Sequence, residues 1–120
     1  MTGKKKVLLI EDEEAIRAFI YEMLTSDGFE VICYDNGLSA LNLSTGKCFD
    51  IIITDYRMQG IDGVEAARRL RIRCPDAFII GISAENKKGD FLAAGANAFF
   101  KKPFSSGDLL TVIKNHKYDH

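Results

Sequence analysis

Five times along this chain a short apolar run gives way to a stretch with helical periodicity, a pattern that few folds accept. Lys6–Ile10 (KVLLI) reads as a buried strand, ended by the acidic run Glu11-Asp12-Glu13-Glu14. A helix follows, with Ile16, Phe19, Ile20, Met23 and Leu24 spaced to make one apolar face. Gly28 closes it as the glycine just past a helix end. Glu30–Tyr34 (EVICY) is β-branched and aromatic, hence a second strand. Asp35-Asn36-Gly37 offers turn chemistry and an N-cap to a short helix, Leu38–Ser44. Ile51–Thr54 is a third strand, apolar on both faces and ending at Asp55. The loop Tyr56–Gly63 leads to a helix from Val64 to Arg73, stopped by Pro75. Ala77–Ile82 is a fourth strand that runs up to Ser83, followed by a helix over Glu85–Ala94 that Gly95 closes. Ala98–Lys101 is a short fifth strand, broken at Lys102-Pro103. Ser105-Ser106-Gly107-Asp108 then caps a last helix, Leu109–His116.

Strands that are apolar on both sides and joined by helical crossovers imply a parallel sheet covered on both faces. The crossovers are expected to be right-handed. The expected fold is therefore α/β, a (βα)5 doubly wound parallel sheet. The expected strand order is 2-1-3-4-5, the one that flavodoxin-like folds of this length adopt. The 120 residues suit one domain spanning 1–120, with no output domain in the chain. A net charge of −1 gives no basic face, so direct nucleic-acid binding is not expected. The lysine clusters Lys4–Lys6, Lys87–Lys88 and Lys101–Lys102 read as solvated element ends. The three cysteines, Cys33, Cys48 and Cys74, are odd in number and lack CxxC spacing, which favours reduced thiols over zinc or a disulfide framework. No apolar run reaches the ~18–20 residues of a membrane span, and Met1–Lys6 leads into no signal-peptide core. A cytoplasmic location, away from membrane, is the expectation.

In open sheets of this kind ligands bind beyond the carboxyl ends of the strands. Glu11 and Asp12 follow the first strand, Asp55 the third, Ser83 and Ala84 the fourth and Lys102 the fifth. In the expected order these ends converge on one pocket holding three carboxylates, a hydroxyl and an ammonium. Carboxylates so crowded repel unless a cation joins them, and an oxygen-only set open to water suits Mg²⁺. Lys102 would pair with a carboxylate at rest and with an added phosphoryl group afterwards. Taken alone, each residue has a plainer role. The acidic pair could open a helix, Asp55 could form a turn, Ser83 could cap a helix and Lys102 could be a loop lysine. Four such roles falling together at adjacent strand ends is what argues for a site.

With these residues in place, the sequence resembles the response-regulator receiver family over essentially its whole length. The matching segments occur in order: LIEDEE, DIIITDYRMQGIDG, GISAE and GANAFFKKPF. The resemblance implies a phosphoacceptor switch of a two-component phosphorelay. Asp55 would take a phosphoryl group from a histidine kinase or phosphotransfer protein. Asp12, Asp55, Glu11 and the backbone carbonyl of Arg57 would hold Mg²⁺. Lys102, Ser83 and the backbone amide of Ala84 would receive the phosphoryl oxygens. Phe99, three positions before the lysine, would be the switch aromatic, while Phe100 faces the other way. Phosphorylation would shift the surface of the fourth helix, fifth strand and fifth helix, read by a downstream output domain or protein. Lys87, Lys88 and Phe91 could belong to that surface. The resemblance implies a signalling module that assists its own phosphorylation and dephosphorylation rather than an enzyme.

The sequence departs from the family pattern at three places. Glu11 stands where Asp is commoner, Gln59 stands where Pro is usual, and Phe99 lacks the hydroxyl of the common Tyr. Arg57 and Glu85, each two residues beyond a site residue, are placed to pair across the entrance and shield an acyl phosphate. Three other readings compete. A docking or dimerisation module independent of phosphorylation would not need Asp12, Asp55, Ser83 and Lys102 intact. A haloacid-dehalogenase-like phosphatase would want a second Asp where Arg57 stands. A flavin binder would want a Ser/Thr/Gly-rich loop where Glu11–Glu14 lie.

Overall fold

Five strands hydrogen-bond in parallel in the order β2-β1-β3-β4-β5 in this computed structural model, which describes residues 3–115. They are β1 (Lys6–Ile10), β2 (Glu30–Tyr34), β3 (Ile51–Asp55), β4 (Phe78–Ser83) and β5 (Ala98–Lys101). The helices between and after them are α1 (Glu14–Ser26), α2 (Gly37–Leu43), α3 (Gly63–Arg73), α4 (Lys88–Ala93) and α5 (Ser106–Asn115). The expected order and alternation both hold. His116, placed in the last helix by the sequence, lies outside the described residues.

Period-two alternation divides the core between the two faces of the sheet. Leu8, Ile10, Ile52 and Ile79 meet Ala67, Leu70 and Phe91 on the side of α3 and α4. Val7, Leu9, Ile53, Ile80 and Ile82 meet Ile20, Leu24, Leu109 and Ile113 on the side of α1 and α5. β1 and β3 lie inside the sheet and are almost wholly buried, which is why their sequences are apolar without alternation. On α1 only Ile20 and Leu24 are fully buried. Phe19 remains 55% exposed at the edge of the stripe, beside an apolar groove lined also by Ile16, Pro103 and Phe104.

The helix ends follow local chemistry. Asn36 accepts a hydrogen bond from the Ser39 amide at the start of α2, and Asp62 accepts one from the Glu65 amide at the start of α3. Gly28 and Gly95 take positive φ just past α1 and α4. There the paired bonds Gly28 N–H to Thr25 and Phe29 N–H to Leu24, and their equivalents at Leu92 and Phe91, close the helices.

Three expectations need correction. Phe91, offered as part of a partner-facing surface, is fully buried against β4 and belongs to the core. The fourth helix does not begin at Glu85. The Ser83 hydroxyl accepts the Glu85 amide at 2.9 Å, so residues 84–87 stay in a loop and α4 is six residues long. The cysteines are not all reduced: Cys48, before β3, and Cys74, at the end of α3, form a disulfide with Cα atoms 5.5 Å apart. Their sequence separation of 26 carries no spacing signal, and only the packing of α3 against the sheet brings them together. Cys33 is free. No helix among the described residues is long and apolar enough to cross a membrane.

Candidate functional site

Parallel register sets the strand ends level. Ile10 pairs with Thr54, Asp55 with Ile82, and Ser83 with Lys101. The next residue of each chain segment therefore emerges at the same edge. Glu11, Asp12, Asp55, Ser83, Ala84 and Lys102, drawn from four separate segments, lie together there. All but Glu11 line one cleft of about 270 Å³, with Glu13, Arg57 and Glu85.

The three acidic groups each offer an oxygen within 4.8 Å of the others. Glu11 is fully buried, Asp55 is 5% exposed and Asp12 is exposed to solvent. Lys102 lies among them. Its Nζ is 3.2 Å from Glu11 Oε1, 3.3 Å from Asp55 Oδ2 and 3.6 Å from Glu13 Oε1. Local bonds orient the carboxylates. The Glu13 amide donates to Glu11 Oε2 at 3.1 Å, and the Tyr56 amide donates to Asp55 Oδ1 at 2.9 Å. Arg17 donates to the Glu11 carbonyl at 2.8 Å and so holds the turn after β1. The Lys102 amide donates to the Ser83 carbonyl at 2.8 Å, and the Lys102–Pro103 peptide is cis.

Burial and mutual repulsion shape the charges. The Glu11 carboxyl is pushed up to about 7, first by burial and next by the charge of Asp55. Burial also raises Asp55 above the usual carboxylate range, against the pull of Lys102. Burial alone would lower the Lys102 ammonium, but Glu11 and Asp55 outweigh it and hold it charged. Glu11 Oε1 is buried without a hydrogen bond of good geometry. A buried carboxylate oxygen facing two further carboxylates is an unfinished coordination set, and hard oxygen donors of this kind fit a divalent cation such as Mg²⁺.

Arg57 Nε and Glu85 Oε2 form an ion pair over the mouth of the cleft. Phe99 is not in the cleft. It is half-buried on the α3–α4 side, in register with Gly81 and with its ring 5.8 Å from that of Phe91. Phe100 packs on the opposite face against Phe104. Gln59 lines a neighbouring recess with Asp12, Asp35 and Asn36.

Two residues that matter to the site carry no chemical group. A Cβ on Gly63 would fall 1.8 Å from the Asp55 carbonyl oxygen, so only glycine lets α3 start directly against the end of β3. A Cβ on Gly81 would fall 2.4 Å from the Phe91 ring, which lies flat on β4 beside Phe99. The sequence signals only that glycines stand at these places, since the atoms that demand them come from distant segments.

The model of the family described as "Response regulator receiver domain" matches residues 7–114. The chain is 34% identical over 113 residues to the response regulator receiver protein CpdR of Brucella abortus, covering 92% of this chain and 94% of that protein. It is 32% identical over 114 residues to the phosphate regulon transcriptional regulatory protein PhoB of Rhizobium meliloti, covering 91% of this chain but only 50% of the relative. Among solved structures, the response regulator TrrA of Thermotoga maritima, in complex with Mg²⁺ and BeF, superposes with a TM-score of 0.83 at 32% identity, over 92% of this chain and 96% of that one. Members of this family act as phosphoacceptors in two-component signalling, and the carboxylate cluster at the strand ends is the part of the fold that such chemistry needs. The chain belongs to the response regulator receiver domain family.

Proposed function

We propose that Asp55 is the phosphoacceptor and that the cleft around it carries out the transfer. The observation that carries this reading is the position of Lys102, which contacts Asp55 and Glu11 at once from the end of β5. Asp55 Oδ attacks the phosphorus of a phosphohistidine on a histidine kinase or phosphotransfer protein. The P–N bond breaks, its electron pair stays on the imidazole, and an acyl phosphate forms. Glu11, Asp12, Asp55 and the backbone carbonyl of Arg57 would hold Mg²⁺, which when bound supplies positive charge at the phosphoryl oxygens. Lys102 exchanges its carboxylate partner for a phosphoryl oxygen, and the Ser83 hydroxyl and Ala84 amide take others. These groups are set by the fold before reaction, so the chain assists its own phosphorylation by positioning and electrostatics.

The same contacts provide the switch. The Ser83 hydroxyl now accepts the Glu85 amide. Turning toward a phosphoryl group breaks that bond and frees the loop before α4. Phe99 then rotates inward, and because Phe91 fills the space over Gly81, Phe91 moves with it. The surface of α4, β5 and α5 changes as a unit, for an output domain or protein to read.

The test is intact mass after incubation with acetyl phosphate and Mg²⁺. One phosphoryl group should appear, depend on Mg²⁺ and be absent from Asp55→Asn. If Asp55→Asn still takes up the group, or the wild type neither gains a phosphoryl group from acetyl phosphate nor changes conformation with beryllofluoride, this assignment fails. A receiver-like docking module would then be the better account.

A further inference from the structure

The fold gathers a second reactive pair at the opposite end of the sheet from the carboxylates. Cys48 lies exposed in the segment between α2 and β3, while Cys74 caps α3 and is 2% exposed. Their Cα separation of 5.5 Å is what a disulfide spans without moving the backbone. Neighbouring contacts hold both segments apart from any bridge. Arg73 donates to the Leu41 carbonyl at 3.0 Å and the Ser44 hydroxyl at 2.7 Å, and the Cys74 amide donates to the Leu70 carbonyl at 2.7 Å. These bonds fix the end of α3 against the end of α2 without the help of the bridge. Of the two sulfurs, one meets solutes and the other is covered. Cys33, on β2, packs at the far face and is half-buried, its thiol pushed up by burial.

We propose that Cys48 and Cys74 form a reversible thiol–disulfide site, closed and opened by low-molecular-weight disulfides and thiols of the glutathione class. In closing, the Cys48 thiolate attacks one sulfur of the small disulfide, whose S–S bond breaks and releases one thiolate. Cys74, as thiolate, attacks the Cys48 sulfur of the mixed disulfide and displaces the second. The protein gives up two protons and two electrons, and the small disulfide becomes two thiols. Opening is the reverse, begun at the exposed Cys48 sulfur. Closure makes a covalent loop of β3, the segment 56–62 and α3, the part of the chain that carries Asp55. It constrains the unfolded chain and leaves the far strand ends in place. The site thus sets how hard the domain is to unfold, separately from its acceptor chemistry.

The test uses Cys33→Ser protein equilibrated with oxidised or reduced glutathione, then read by intact mass, peptide mapping and thermal melting. Oxidised glutathione should remove about 2 Da and yield one bridged peptide pair joining Cys48 and Cys74, and reduced glutathione should restore the mass. The closed form should melt about 10 °C higher than the open one. Phosphoryl uptake from acetyl phosphate should agree between the two forms within about twofold, since no site group moves. In Cys74→Ser a glutathione adduct should accumulate on Cys48. A stable adduct on Cys48 in protein that retains Cys74 would overturn the proposal. So would no mass change in either variant, or a closed form that reduced glutathione does not reopen. Failure of Asp55 to take up a phosphoryl group would leave the mass, peptide-mapping and melting readouts untouched.

Discussion

Arg57 and Glu85 meet across the mouth of the cleft, both substantially exposed. A pair so placed contributes little to stability, so its effect belongs to access. Opening it lets water reach an acyl phosphate. Arg57→Ala and Glu85→Ala should each speed dephosphorylation roughly two- to fivefold, the equivalent of about 0.5–1 kcal/mol in barrier. A phosphate-release assay checks this, and an unchanged rate in both variants sinks the idea. Deeper in, Gly81 lets the Phe91 ring lie on β4. Gly81→Ala should destabilise the domain by about 1–3 kcal/mol in urea denaturation, and trimming the ring in Gly81→Ala with Phe91→Leu should recover part of the loss. The charged and hydroxyl members of the site were legible in the sequence because each follows a strand. Gly63 and Gly81 were not, because what they avoid is the Asp55 carbonyl and a ring ten residues away.

Between elements, the C-terminal end of α3 is the joint of the α3–α4 side. Arg71 donates to the carbonyls of Pro75 and Ala77 at 2.8 Å, to the Gly95 carbonyl at 2.8 and 3.0 Å, and to Asn97 Oδ1 at 2.7 Å. Asn97 Oδ1 in turn accepts the Ile79 amide at 2.8 Å. One planar guanidinium thus ties α3 to the entry of β4 and to the α4–β5 turn. Arg71→Ala should cost about 2 kcal/mol by urea denaturation, and Arg71→Lys should restore little of it, because an ammonium cannot match the fork. The elements themselves could be read from periodicity and caps, and β1, β2 and β5 keep the limits the pattern sets. The start of α4 could not. Glu85 suits a helix's first turn, but its amide is taken by the Ser83 hydroxyl and its carboxylate by Arg57. The cysteine pairing was hidden for a similar reason, since spacing along the chain says nothing of what two crossovers bring together.

Across the whole molecule, the carboxylate cluster sets a pH dependence. Glu11 titrates near 7 in the folded chain against an ordinary value of 4.5, so the folded state holds the extra proton between those values. The stability this proton contributes is full below the lower value and is lost as pH rises through the upper one. Metal-free protein should therefore lose stability as pH rises from 4.5 to about 7, and Glu11→Gln should flatten that slope. Adding Mg²⁺ at the higher pH should return the loss, because a bound dication stabilises the folded state and offsets the exposed repulsion. Denaturation curves with and without chelator measure both effects, and a slope unchanged by Glu11→Gln would sink this account.

The strand-end site also bears on what an incomplete sheet could do. Its groups come from the ends of β1, β3, β4 and β5, and β5 pairs only with β4 at the sheet's edge. Lys102 arrives with that last strand. Until β5 docks, three carboxylates face one another without their ammonium, and on the proposed chemistry the acceptor is incomplete. On that chemistry, a chain with β5 undocked lacks Lys102 beside Asp55 and should take up less phosphoryl group than the intact sheet. Competence to be signalled is, on that reading, a property of the complete sheet and of no subset of its strands.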